Sequence, residues 1–325
     1  MSPLARSVTT LLFAVTLAVG AMASDPPAFT PGPVDARAYA DTRLFAFVKH
    51  FERAVNQRDT DAIRDVLDVV ALMDRVCEGL SVTPAQRSSF ARTVGLSRAS
   101  APYLDTVSTG GHIRFLRMRE MDGRPRALYR LAGDDGLNYH DIELALTGQG
   151  RVRIVDVYVY DTGEMLSVAL RRILVQQAGL DTVVPPSHPD PVGADLVALD
   201  ELIGRRKWDE AIETIGRIGK VVGKDAYLDT LRAYFLCERG TYERAAESAD
   251  RSIQGDPMLE EARLIRLRVA MVQHDFAAVA ASLTVLERDF GWDLDDLGAA
   301  PAYGLFVRSP SYKRWMSTRR TALVD

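Results

Sequence analysis

Trp208, Tyr242 and Phe276 stand at intervals of 34 residues, and other positions keep the same phase. Ahead of each aromatic come Leu199, Ala233 and Leu267, then Leu202, Leu236 and Ala270. Behind each come Ala211, Ala245 and Val279, then Ile218, Ser252 and Leu286. A repeat of this length implies units of two helices, each unable to bury its apolar face except against the next unit. Such arrays are chiefly surfaces for holding other proteins. The phase therefore restricts the C-terminal half to an all-helical stack and points to binding before chemistry.

The termini and composition set the context. Arg6 precedes an almost wholly apolar or small run, Val8 to Met22, closed by Ala21-Met22-Ala23. This is the pattern of a secretory signal peptide, assigned to residues 1–23, and it leads us to expect a periplasmic or secreted protein. The run is short for a membrane span, so no integral membrane segment is expected after cleavage. A proline-rich lead-in occupies 24–35, with Pro26, Pro27, Pro31 and Pro33. The net charge of −4 gives no reason to expect nucleic acid. There are two cysteines, Cys77 and Cys237. Export permits a bridge between them, but both sit in helical patterns with apolar neighbours, which favours two separate thiols.

A second proline cluster, Pro185, Pro186, Pro189 and Pro191, marks a linker over 181–192 between domains at 36–180 and 193–325. The first domain opens with a helix striped by Leu44, Phe47, Val48, Phe51 and Val55. A second helix carries Ile63, Val66, Leu67, Val70, Met73 and Val76 on one face. Thr83-Pro84 starts a third, running to about residue 96. The period then changes to two. Strands over about 111–120, 125–132, 137–146 and 152–160 are separated by Asp122-Gly123, Asp134-Asp135-Gly136 and Gly148-Gln149-Gly150, which predicts an antiparallel meander. Asp161 and Glu164 read as a capping box opening a helix with Leu166, Leu170, Ile173 and Leu174 in its stripe. The expected fold is an α+β domain of three helices and a curved four-stranded antiparallel sheet, followed by all-α repeats and a terminal helix starting at Ser309-Pro310. That last helix, with Phe306, Tyr312 and Trp315, would cover the end of the stack.

Two resemblances follow from these residues. The first helix ending in Ala54-Val55-Asn56-Gln57-Arg58-Asp59, the Asp61-Ala62-Ile63 restart and the Val-x-Val-x-Val strand at 155–159 resemble the nuclear-transport-factor-like, cone-shaped α+β family over about 36–177. That family holds binding modules as well as isomerases and dehydratases, so the likeness implies an apolar pocket without deciding its use. Gly240-Thr241-Tyr242-Glu243-Arg244-Ala245-Ala246, followed by Ser252 and Asp256-Pro257, resembles the tetratricopeptide repeat over about 192–291. The other two units depart from the pattern. Arg206 and His274 replace the turn glycine, and Gly291 stands where proline would fall.

Strand alternation assigns faces. His140, Ile142 and Leu144 share one side of the third strand, and Tyr139, Asp141 and Glu143 share the other. On the fourth, Val155, Val157 and Val159 oppose Asp156, Tyr158 and Tyr160. The apolar sides should meet the helices. His140 would then be either a pocket base or a hydrogen-bonded structural histidine. The acids, with the arginines from Arg114 to Arg130, would form a solvated ladder of cross-strand charge pairs, or the tyrosines and arginines would form a docking face for a second copy or the repeat domain.

In the repeat half the phase places Tyr227, Tyr234, Cys237, Leu264, Arg268 and Met271 on the first helix of each pair, which lines the groove in the family the segment resembles. Aromatics, methionine and arginine suit an interface centre. The groove is open to a protein or peptide partner, or is filled by another part of the chain. The family's lysine–asparagine clamp for peptide carboxylates is missing from these positions. No metal or cofactor motif is present, and scattered histidines and two distant cysteines do not make metal-ligand spacing. The leading expectation is an exported, non-catalytic adaptor acting in the cell envelope through the groove, with a homodimer possible. The alternative is a small-ligand binder or enzyme built around His140.

Overall fold

Leu44, Val48, Phe51 and Val55 form the buried stripe of α1 (Thr42–Asn56), which lies on the first face of the sheet. The structure, a computed structural model, describes residues 42–92, 103–108, 110–133, 136–184 and 190–322. The expected signal segment and lead-in lie outside the described residues, as do 93–102 and 185–189. Contacts divide the chain into two compact units between Gly204 and Arg205.

In the first unit the expected second helix is two. The segment breaks into α2 (Thr60–Asp65) and α3 (Val69–Cys77), capped by Asp59 and Asp68. The break has a tertiary cause. Between the two helices, Val66 accepts from Ile154 N–H (2.9 Å) and Asp68 N–H donates to Ile154 (2.8 Å), so Leu67 bridges the edge of the sheet. α4 (Pro84–Phe90) starts at Thr83-Pro84 as expected, with a complete Thr83–Gln86 capping box, a device worth about 1 kcal/mol. A further helical stretch covers residues 103–108.

The strands are β1 (His112–Met121), β2 (Arg124–Gly133), β3 (Gly136–Leu146), β4 (Val152–Val159) and a two-residue β5 (Glu164–Met165). They form one antiparallel meander in chain order, five strands where four were expected. Asp122 (φ 54°) and Gly123 (φ 70°) are both left-handed, as a tight hairpin between β1 and β2 requires. The free edge of β1 is met by α1 side chains. Asn56 donates to the Ile113 carbonyl (3.0 Å) and accepts its N–H (2.9 Å), and Glu52 accepts from Phe115 N–H (3.1 Å). These contacts stand where a neighbouring strand would pair.

Because of β5, the helix α5 (Leu166–Ala178) is capped by Met165 with no side-chain bond, and the Asp161–Glu164 capping box does not form. Glu164 instead pairs with Arg172 (2.6 Å). Leu170 and Leu174 of α5 pack with Leu72, Met73, Val76 and Phe90 in a second, smaller core. A bulge between Glu143 and Leu144 also corrects the expected apolar face of β4. Ile154 and Val157 join the main core, while Val155 is left outside it.

The other sheet face is also covered. α3 and α5 pack on β4, and α6 (Pro191–Gly204) packs on β3. A Cβ on Gly193 of α6 would lie 2.1 Å from the Tyr160 carbonyl, so only glycine permits this approach. Asp190 fixes the start of α6 by accepting from Gly193 N–H (2.8 Å) and from the Tyr158 hydroxyl (2.9 Å).

The second unit is a run of paired helices: α7 (Trp208–Val222), α8 (Ala226–Glu238), α9 (Tyr242–Gly255), α10 (Glu260–Val272) and α11 (Phe276–Phe290). The three phase-marking aromatics are each the first residue of a helix. Ala211, Ala245 and Val279 are buried completely, as are Ile218, Ser252 and Leu286. Small residues at Ala233, Ala245 and Ala249 let the helices approach, and a buried Thr230–Ser252 hydrogen bond (2.6 Å) ties α8 to α9. Two short turns lead to α12 (Gly304–Val307) and α13 (Pro310–Ala322). Ser309 accepts from Tyr312 N–H (3.2 Å), which makes it the expected cap of the last helix. Phe306, Tyr312 and Trp315 cluster, and the Trp315 indole donates to Thr284 (3.0 Å), so α13 covers α11.

Candidate functional site

His140 sits inside the main core of the first unit. Its Nδ1 lies 3.2 Å from the Tyr103 hydroxyl, and its ring meets Tyr103 edge-on at 5.4 Å. Phe51, Tyr103 and Tyr129 pack together beside it. Burial pushes the imidazole down to about 3, so it is neutral near pH 7. No carboxylate is hydrogen-bonded to it among the described residues. A neutral, enclosed imidazole without an acid partner fits a structural role.

The opposite face was expected to be solvated, and it is not. Asp141 is fully buried, and Glu143, Asp156, Arg119 and Arg126 are buried. Covering by α3, α5 and α6 turns the ladder into two linked networks. In one, Arg119 donates to the Tyr160 hydroxyl (2.9 Å), which donates to Asp141 (3.0 Å). In the other, Arg75 of α3 grips Glu143 through both nitrogens (2.6 and 3.0 Å) and reaches Asp156 (3.2 Å). Ser167, at the start of α5, donates its hydroxyl (2.6 Å) and its N–H (3.1 Å) to Asp156. A carboxylate from β4 thus serves the α5 N-terminus, where negative charge is favoured.

Arg124 and Arg126 complete the second network, at 3.0 and 3.5 Å from Glu143. Burial alone would raise the Glu143 carboxyl. The Arg75 fork, aided by Arg124 and Arg126, outweighs it and holds the group below the usual range. Burial pushes the Asp141 carboxyl up despite the facing Arg119. An open cleft of about 740 Å³ lies over the Glu143–Asp156 network, bounded by Arg75, Arg124, Arg126, Ser167 and Arg171. Arg75, Ser167 and Arg171 were not singled out from the sequence. The available signal was the Asp74-Arg75 pair, two charges set between Met73 and Val76 in a helix whose other residues are apolar.

In the second unit, Tyr227 and Cys237 are buried in the helical interior, so neither offers a contact surface. Tyr234, Leu264 and Met271 are half-buried, and Arg268 is exposed. α8 and α10 lie side by side, and Arg268 of α10 forms an ion pair with Glu238 of α8. The Tyr234 ring rests edge-on against Trp208 at 6.2 Å. Burial, then the nearby Glu238 charge, raises its hydroxyl. Both cysteines are free, Cys237 buried and Cys77 half-buried. Among the described residues, no three His, Cys, Asp or Glu side chains converge as metal ligands would. No described helix is long and apolar enough to cross a membrane.

No protein-family model, curated protein or solved structure matches this chain.

Proposed function

We propose that this protein is an exported, non-catalytic adaptor that holds a protein or peptide partner on the face shared by α8 and α10. One observation carries the reading. Ala211, Ala245, Val279, Ile218, Ser252 and Leu286 are sealed between the helices, yet Tyr234, Leu264 and Met271 stay part-exposed beside the Glu238–Arg268 pair on adjacent helices. An aromatic, an arginine and flexible apolar side chains on one surface make the usual centre of a protein interface. We read the helical unit as a degenerate tetratricopeptide array and the first unit as a cone-like α+β module. The packing of Phe51, Tyr103 and Tyr129 beside His140 favours a structural role for that module's core over catalysis there.

The test is affinity capture from cell-envelope extract with the full chain, comparing wild type with the Tyr234→Ala, Arg268→Ala double variant. Loss of specific partners from the variant, with helicity unchanged by circular dichroism, is the expected result. Equal recovery of every partner by both proteins would overturn the proposal.

A further inference from the structure

Two clefts of opposite character meet on the first unit. The arginine-lined cleft joins a second one of about 510 Å³, whose walls include Leu44, Ala71, Pro125, Leu144, Leu146 and Val155. Arg75, Arg124 and Glu143 belong to both. The bulge at Glu143/Leu144 helps create the apolar half, because it leaves Val155 outside the main core. Leu146, at the end of β3, is left 47% exposed.

The charge at the junction is unbalanced. Arg75, Arg124 and Arg126 face two carboxylates, Glu143 and Asp156, so one positive charge is left over. Asp156 is further engaged by Ser167. At the rim, Asp74 is drawn away by Arg87, while Arg171 and Glu78 add one charge of each sign. Among the described residues Arg124 makes one hydrogen bond, to Glu143, although a guanidinium carries five donors, and its side chain is 56% exposed. Arg126 is 7% exposed and donates through Nη1 to the Met165 sulfur (3.7 Å), yet its Nε has no acceptor among the described residues. Its nearest Glu143 oxygen, at 3.5 Å, is beyond a good hydrogen bond.

We propose that the junction binds an amphiphilic carboxylate: a single anionic head on Arg124 and Arg126, with a short alkyl chain laid along Leu44, Leu144, Leu146 and Val155. One surplus positive charge matches one carboxylate, and the guanidinium fork matches its two oxygens. The apolar walls supply the remaining affinity. Each methylene buried there raises affinity about fourfold, the equivalent of about 0.8 kcal/mol. This site is separate from the partner surface proposed above, and either can fail without the other.

Calorimetric titration of the full chain with hexanoate, octanoate and octanol tests the assignment. Saturable octanoate binding is expected, about tenfold or more tighter than hexanoate and at least tenfold tighter than octanol. Arg124→Ala, at an exposed position, should abolish the preference for octanoate over octanol. Leu146→Glu should weaken both ligands. The proposal is overturned by absent octanoate saturation, by equal binding of octanoate and octanol to wild type, or by an unaltered octanoate affinity in a folded Arg124→Ala protein. If that variant does not fold, the wild-type head-group and chain-length ratios decide alone.

Discussion

Arg206, Gly240 and His274 occupy equivalent turn positions, and all three have left-handed backbone, with φ of 55°, 78° and 55°. The turn demands that conformation whatever side chain is present. For an L-residue it costs about 1–2 kcal/mol, whereas glycine adopts it freely. Replacing His274 with glycine should therefore raise the stability of the helical unit by up to about 1 kcal/mol, the strain relief exceeding the added freedom of the unfolded chain. Gly240→Ala should lower it by about 1 kcal/mol through backbone strain alone, since a Cβ there meets nothing within 4 Å. Urea midpoints of the two variants check both signs. The turn at Gly240 was legible because glycine advertises the geometry. At Arg206 and His274 only the phase shows it.

At the scale of elements, alternation along β3 and β4 sorted side chains onto two faces correctly, apart from the bulge at Val155. It did not say which faces are covered. Period two records which residues share a side, while coverage depends on helices distant in sequence. Arg75 lies 68 residues from Glu143, so its pairing could not be read from the spacing of either. Arg75→Ala should cost about 2–3 kcal/mol, because it leaves Glu143 and Asp156 buried without their main counter-charge. That is below the loss for a fully buried pair, because the Arg75 side chain is 27% exposed. A solvated ladder would lose under about 1 kcal/mol, so chemical denaturation distinguishes the two descriptions. The α3 and α5 boundaries were missed for a related reason. Val66 and Asp68 exchange a helical path for bonds to Ile154, and Glu164 is claimed by the sheet edge.

For the whole molecule, protonation links the interior to pH. The His140 imidazole is lowered to about 3 from its ordinary 6.5, so between those values the unfolded chain binds the extra proton. Its effect is nil above pH 6.5, and stability then falls with acidification down to about pH 3, by at most about 1.4 kcal/mol per pH unit. Glu143, held below its ordinary value, adds a loss of the same sign as pH falls below about 4.5. Asp200, raised by burial to about 6, acts oppositely, because its neutral form favours folding and that benefit is lost as pH rises through 6. The difference between wild type and His140→Asn cancels the shared groups. Between pH 6.5 and 5 the variant should lose stability more slowly than wild type. Equal slopes of the urea midpoint would contradict this reading of His140.

By itself the sequence determined periodicity: a helical stripe at Leu44–Val55, glycine-marked hairpins, and a 34-residue phase whose aromatics each open a helix. These are local properties, fixed by backbone sterics and by which side chains recur on one face. Tertiary structure alone decided that Asp141, Glu143 and Asp156 are enclosed, that the helix after Asp65 breaks on the sheet edge, and that an arginine-rich cleft and an apolar one share Arg75 and Arg124. Burial is a relation between segments far apart in the chain. No pattern within one segment contains it.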